Sequence, residues 1–203
     1  MLLYYSLISP LSQKNLQSWV KPAVFLLCLF PVAWLIWQLL NNMLGANPIE
    51  SFTRQSGEWG LRFLLITLAM TPLRRISGQA WPLRYRRMLG LFSFFYVSVH
   101  LLSYIVLDQF FDWSEIWADI LKRPFITIGM TAFILLIPLA VTSNKAMMKR
   151  LGRSWQRLHR LVYIIAVCGV LHYFWLIKAD LLWPTIYAAI LTILFILRVK
   201  LKP

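Results

Sequence analysis

Residues 125–141 and 181–197 contain no charged side chain. Each run is long enough, as a helix, to cross most or all of a bilayer core, which takes about 20 apolar residues. No other feature constrains the fold so strongly. In a bilayer the backbone must satisfy its own hydrogen bonds, which leaves helices or a closed barrel. Barrel strands alternate apolar and polar residues, whereas these runs are continuous, so helices are expected. The rest of the 203 residues agrees: 60% are hydrophobic, against about half in a soluble domain.

On this basis the sequence predicts six spans, at roughly residues 22–42, 58–73, 88–107, 124–142, 157–177 and 181–198. The expected fold is an all-α membrane protein, a six-helix transmembrane bundle. Residues 1–21 form a cytoplasmic N-terminal segment, 22–198 the membrane domain and 199–203 a cytoplasmic tail. The second span is the shortest and contains Arg62, whose side chain must snorkel to the nearer surface. Pro31 and Pro138 are expected to kink the first and fourth spans, and Pro184 falls in the first turn of the sixth, where proline is tolerated. Between the third and fourth spans, Trp113, Ile116, Trp117 and Ile120 recur at helical spacing, as in a short helix lying in the outer interface.

A net charge of +14 would suit a nucleic-acid partner, but the basic residues sit in short clusters between apolar runs, which points to membrane lipids and no nucleic acid. With six spans, 16 of the 21 Lys and Arg fall on one side and all seven acids, from Glu50 to Asp180, on the other. By the positive-inside rule the basic side is cytoplasmic, so both termini face the cytoplasm. Trp59, Trp113, Trp117, Trp175 and Trp183 flank the outer ends and Trp19, Trp81 and Trp155 the inner ends, as an aromatic belt requires. Cys28 and Cys168 both lie within apolar runs and read as small hydrophobes. No signal-peptide pattern opens the chain. No GxGxxG or P-loop pattern occurs, so no nucleotide domain is expected.

Three histidines carry the candidate chemistry: His100, His159 and His172. His100 in the third span and His172 in the fifth stand at a similar depth, nearer the outer face. Two imidazoles at one level without a nearby carboxylate or thiol suit the axial positions of a haem iron between helices 3 and 5, whereas zinc takes three or four protein ligands. Gly169, one turn before His172, would leave room for a porphyrin. The alternative is that each histidine bonds a neighbouring helix and Gly169 only permits close packing. His159 lies about 20 Å further in and off the face of His172; it either serves a second cofactor site or is a solvated interface residue. Arg62 and Lys178 lie near the haem's expected depth on the outer side, and each either neutralises a haem propionate or snorkels to headgroups.

A set of short stretches then points to a family. They are Leu44-Gly45-Ala46-Asn47-Pro48, Thr71-Pro72-Leu73-Arg74, and Arg86-Arg87-Met88-Leu89-Gly90-Leu91 leading to His100 and Tyr104. Arg123-Pro124, Thr142-Ser143, Leu151-Gly152 with Trp155, Leu158-His159, Tyr163, His172-Tyr173 and Trp175 follow. In this order the chain resembles the ferric-reductase-like transmembrane haem proteins of bacteria. The resemblance implies an electron-transfer subunit with haem b in the bacterial inner membrane, reduced from the quinone pool, with FMN as a further cofactor. Its implied partner is the periplasmic molybdopterin enzyme MsrP, which reduces methionine sulfoxide in oxidised proteins. His100, His159 and His172 match the family's histidines. Larger relatives stack two haems on two histidines from each of two helices; here the place thirteen residues before His100 is Arg87, so a second bis-histidine site lacks a ligand. The arginines of the inner loops could hold the FMN phosphate, although topology already explains them. The acids Asp112, Glu115 and Asp119 are expected to steer the periplasmic partner. Two rivals remain: a stand-alone ferric or quinone reductase of the same fold, and a small membrane transporter. The absence of a buried acid in the spans speaks against the transporter.

Overall fold

The computed structural model describes residues 10–177 and 180–200, with side chains from residue 19 onward. Among them are nine α-helices and no strand: α1 (Pro10–Leu40), α2 (Pro48–Ser77), α3 (Trp81–Ser103), α4 (Trp113–Lys122), α5 (Pro124–Val141), α6 (Lys145–Leu151), α7 (Arg153–Leu158), α8 (Leu161–Leu176) and α9 (Leu182–Lys200). The six long ones, α1, α2, α3, α5, α8 and α9, fall at the six expected spans. Five stretches are long and apolar enough to cross a membrane: 19–40, 81–108, 124–141, 153–176 and 182–200. Their outward faces carry Phe25, Leu26, Phe30, Ile134, Ile164 and Ile193, large apolar side chains that only lipid would cover. The chain is a multi-pass membrane protein.

α2 differs most from expectation. Expected over 58–73, it runs over Pro48–Ser77 and carries no window apolar enough for a span. Several of its polar residues bond within the protein: Ser56 donates to the Thr53 carbonyl, Thr67 to the Phe63 carbonyl and Arg62 to Glu58. Asn47 caps the N-terminus by accepting from the Glu50 N–H. Gly78 ends the helix at φ +69, its N–H on the Arg74 carbonyl at 2.9 Å, the left-handed cap that glycine adopts without strain. α2 packs along α3 and also meets α1, α8 and α9, while α5 packs along α8. The main core joins Leu61, Leu64, Leu65 and Leu68 of α2 to Ala132 and Leu136 of α5, Ile165 and Ala166 of α8, and Leu191 of α9.

α1 also starts earlier than expected, at Pro10, so most of the proposed N-terminal segment continues the first helix. Pro22 and Pro31 both lie inside it. Next to Pro31 the fully buried Tyr96 of α3 inserts its hydroxyl, donating to the Cys28 carbonyl at 2.8 Å and accepting from the Val32 N–H at 3.0 Å. That bridge satisfies backbone groups of the proline turn and fixes α1 against α3. The fifth span is not continuous: α7 and α8 are separated at His159 and Arg160. Near the C-terminal end of α9, Arg198 donates to the Leu68 carbonyl of α2 at 2.7 Å and to the Tyr163 hydroxyl of α8, pinning three helices together.

The expected short helix is present as α4, capped by Asp112, whose carboxylate accepts from the Ser114 and Glu115 N–H groups at 3.0 and 3.1 Å. The chain reaches it from α3 through a π-helical turn, Tyr104–Asp108, and then through Phe110 and Phe111 at φ +46 and +63. Asp119 corrects the steering expectation. It is only 4% exposed, accepts from the Tyr104 hydroxyl at 2.9 Å and pairs with Arg123 at 2.9 Å. With Asp112 a helix cap and Asp119 an anchor to the π turn, Glu115 alone of the three acids is uncommitted to a structural bond.

Candidate functional site

His100 projects from α3 and His172 from α8, and the structure brings their rings together, centroids 6.1 Å apart with planes at 76°. Both are held from behind in the same manner. The His100 Nδ1 lies 2.7 Å from the Thr53 carbonyl of α2, and the His172 Nδ1 lies 2.6 Å from the Phe125 carbonyl of α5. A carbonyl only accepts, so each Nδ1 carries the proton and each Nε2 keeps its lone pair. This tautomer, oriented by a backbone carbonyl, is the one metal-ligating histidines use.

Hydroxyls extend the His100 side. Ser103 donates to the His100 carbonyl at 2.8 Å and stands 2.9 Å from the Thr53 hydroxyl. With its own proton spent, Ser103 accepts there and Thr53 donates. The fully buried Ser56 donates to the Thr53 carbonyl at 2.8 Å, so that oxygen serves both Ser56 and His100. The π turn begins directly beyond Ser103, and such turns recur beside functional sites.

The arrangement fits one metal centre bound by two imidazoles. Two rings on opposite sides of one metal, with bonds of about 2.0–2.1 Å, stand about 6 Å apart centroid to centroid, close to the separation seen. Among the described residues no three His, Cys, Asp or Glu side chains come together, so the protein offers this centre two ligands and no closed structural metal cage. A prosthetic group that supplies the remaining ligands itself, as a porphyrin does, matches that donor set.

An ionic network abuts the pair. Glu58, next to Gly57 in α2, pairs with Arg62 at 2.7 Å and accepts from the Tyr173 hydroxyl at 3.0 Å. Arg62 also donates to Tyr187 at 2.8 Å and lies over the Trp59 ring at 4.7 Å. Arg62 therefore does not simply snorkel to headgroups. Glu58, at the start of the second expected span, is partly buried, its side chain 17% exposed inside a 30-residue helix. Lys178 lies outside the described residues.

His159 stands apart, at the α7–α8 junction. Its ring stacks on Trp155 at 4.0 Å, and its Nε2 lies 3.0 Å from the Thr142 hydroxyl. That hydroxyl donates to the Pro138 carbonyl at 2.6 Å, so Nε2 carries the proton and Nδ1 is the nitrogen left open. The His172 ring does not border Gly169; a Cβ there would meet Leu61 at an ordinary 3.5 Å. The glycines beside the histidines are Gly57 and Gly129, which sequence reasoning missed.

The fold and site define a class: a multi-pass helical membrane protein that brings two tautomer-fixed imidazoles, from α3 and α8, within 6.1 Å of one another. Its relatives narrow the class. Residues 56–170 match the family described as ferric reductase like transmembrane component. A Rhodospirillum rubrum protein named protein-methionine-sulfoxide reductase heme-binding subunit MsrQ is 60% identical over 182 residues, 89% of this chain and 86% of that protein. Proteins of the same name from Caulobacter vibrioides and Herminiimonas arsenicoxydans are 54% identical over 187 residues (92% and 89% of the two chains) and 51% over 183 (89% and 84%). The chain belongs to the MsrQ family of ferric-reductase-like transmembrane components.

Proposed function

We propose that this chain is the haem-binding membrane subunit of a methionine-sulfoxide reductase system, holding b-type haem between His100 and His172 and passing electrons outward to a periplasmic molybdopterin reductase, MsrP. The observation that carries the reading is the pair of imidazoles 6.1 Å apart, each with Nδ1 on a backbone carbonyl. The names of the relatives, which bind haem and serve methionine-sulfoxide reduction, support it. When bound, haem supplies a centre that accepts and releases one electron at a time.

The chain's own residues bind, orient and insulate that centre. The two Nε2 atoms, each with its lone pair free, would hold the haem iron. The Thr53 and Phe125 carbonyls keep the Nδ1 protons in place and set the ring orientations. Leu61, Leu64 and Leu65 of α2 and Val170 of α8 belong to the buried core, a dry surround that tunes the reduction potential. Arg62, bonded through Nε and one terminal nitrogen, retains its other terminal nitrogen for a propionate, and Lys178 is the second candidate.

With six spans in a bacterial inner membrane and both termini cytoplasmic, electrons enter at the basic face. The resemblance supports the quinone pool as donor and FMN as an inner cofactor, with the inner arginines as phosphate partners. His159, with its open Nδ1, belongs to that entry side. Haem quantitation and absorption spectra of purified wild type, His100→Ala, His172→Ala and His159→Ala test the assignment. Wild type and His159→Ala should retain a low-spin haem b that either other substitution removes. Full haem with an unchanged spectrum in both His100→Ala and His172→Ala overturns it.

A further inference from the structure

The two histidine seats are one device used twice. Thr53, Gly57 and His100 make the first, and the second repeats it 72 residues further along, at Phe125, Gly129 and His172. In each, the histidine stands on the second helix of a closely packed pair, α3 on α2 or α8 on α5. It reaches a carbonyl on the first helix, four residues before a glycine. In an α-helix the carbonyl of residue i points toward residue i+4 and already accepts its N–H. A side chain at i+4 therefore crowds any second donor approaching that oxygen.

The distances show how little room there is. A Cβ on Gly57 would lie 2.8 Å from the His100 Nδ1, 3.1 Å from Cε1 and 3.3 Å from Cγ. A Cβ on Gly129 would lie 2.7 Å from the His172 Nδ1, 2.8 Å from Cε1 and 3.2 Å from Cγ. These contacts are with a rigid ring, already fixed by its hydrogen bond, and not with the loose end of a flexible chain. One methyl group at either position must push the imidazole off its carbonyl and toward its partner ring.

We infer that Gly57 and Gly129 are positioning residues for the bis-histidine centre: each gives an imidazole the space to lie against a helix backbone, donate Nδ1–H to the carbonyl one turn earlier and aim Nε2 at the shared metal. This inference rests on the haem reading above. It extends that reading to two residues that touch neither iron nor porphyrin ligand atoms and act through the rings they seat. It also separates these glycines from Gly60, one turn from Gly57 on α2. There a Cβ would meet the Val97 side chain at 2.6 Å, a helix-packing contact with no histidine in it.

The test compares Gly57→Ala, Gly129→Ala and Gly60→Ala in the full chain, purified from membranes, with helicity checked by circular dichroism. Haem content, the low-spin spectrum and the midpoint potential are the readouts. Loss of an orienting partner typically weakens metal retention about 10–100-fold, so Gly57→Ala and Gly129→Ala should lose haem or shift its spectrum and potential. Gly60→Ala, despite its tighter clash, should lower stability while leaving the spectrum of the retained haem unchanged. Ser56→Ala provides a variant with no steric cost. Freed of the Ser56 hydroxyl, the Thr53 carbonyl accepts more strongly from His100, which should lower the midpoint potential at full haem content.

If both glycine variants keep full haem with an unaltered spectrum and potential, the inference is overturned. If neither variant accumulates, Ser56→Ala decides, and an unchanged potential overturns it. His100→Ala and His172→Ala run in parallel. Full haem in those two would remove the haem reading itself, whereas loss of haem there with none in the glycine variants removes only the positioning role.

Discussion

Glu58 joins α2 to the histidine-bearing turn of α8, and the strength of that join can be measured. Its Oε1 accepts from the Tyr173 hydroxyl at 3.0 Å and its Oε2 pairs with Arg62 at 2.7 Å. Tyr173 directly follows His172. A hydrogen bond to a charged group contributes about 1.5–3 kcal/mol, so Tyr173→Phe should destabilise by about that much. Breaking a fully buried ion pair costs about 3–5 kcal/mol. Here the side chains are 17% and 32% exposed, and solvent screening reduces the pair to about 1 kcal/mol. Glu58→Gln, which also weakens the tyrosine bond, should therefore cost about 2–3 kcal/mol in total. The double variant should cost less than the sum, with a coupling of about 1–2 kcal/mol. Tryptophan fluorescence during thermal unfolding in detergent reads this out at about 2–4 °C per kcal/mol for a chain of this size. Strictly additive effects would refute the claim that these side chains share one bond.

Two further outcomes follow from the same structure. Asp119→Asn should cost about 1–2 kcal/mol, because Arg123, 55% exposed, stays solvated when its partner charge is lost and the Tyr104 hydrogen bond is only weakened, and hydrogen exchange should rise in α4 while the α2–α3 pair stays protected. His159→Ala, at the α7–α8 junction away from the histidine pair, should keep the haem bound by His100 and His172 but slow its reduction by a quinol analogue in stopped-flow absorbance; an unchanged rate would return His159 to a purely structural role.

The parts of this architecture carried by long apolar runs were legible in the sequence. So were α4, from its Trp113–Ile116–Trp117–Ile120 spacing, and the common depth of His100 and His172. The length of α2 is not legible because hydropathy cannot see pairing. Glu58 and Arg62 neutralise each other, and Ser56 is fully buried by bonding to a backbone carbonyl, so the helix continues through residues that look like its boundary. The burial of Asp119 is not legible for a related reason: Arg123 is an i,i+4 neighbour, but its other partner, Tyr104, lies fifteen residues earlier and only the fold brings it there. Gly169 was singled out because it shares a face with His172, but a seat is made across helices. Gly57 and Gly129 lie on the neighbouring helices, each 43 residues before its histidine. Comparing the chain with itself at the 72-residue offset would have found them.

Electron paramagnetic resonance of the ferric, haem-loaded protein tests the central claim most directly, because the signal reports both the number of imidazole ligands and the angle between them. The two carbonyl bonds and the two glycine seats hold the ring planes at 76°. The account therefore predicts a low-spin signal of the strongly anisotropic kind given by near-perpendicular axial imidazoles, lost in His100→Ala and in His172→Ala. A high-spin signal, or the rhombic low-spin signal of parallel rings, in the wild-type protein would contradict it.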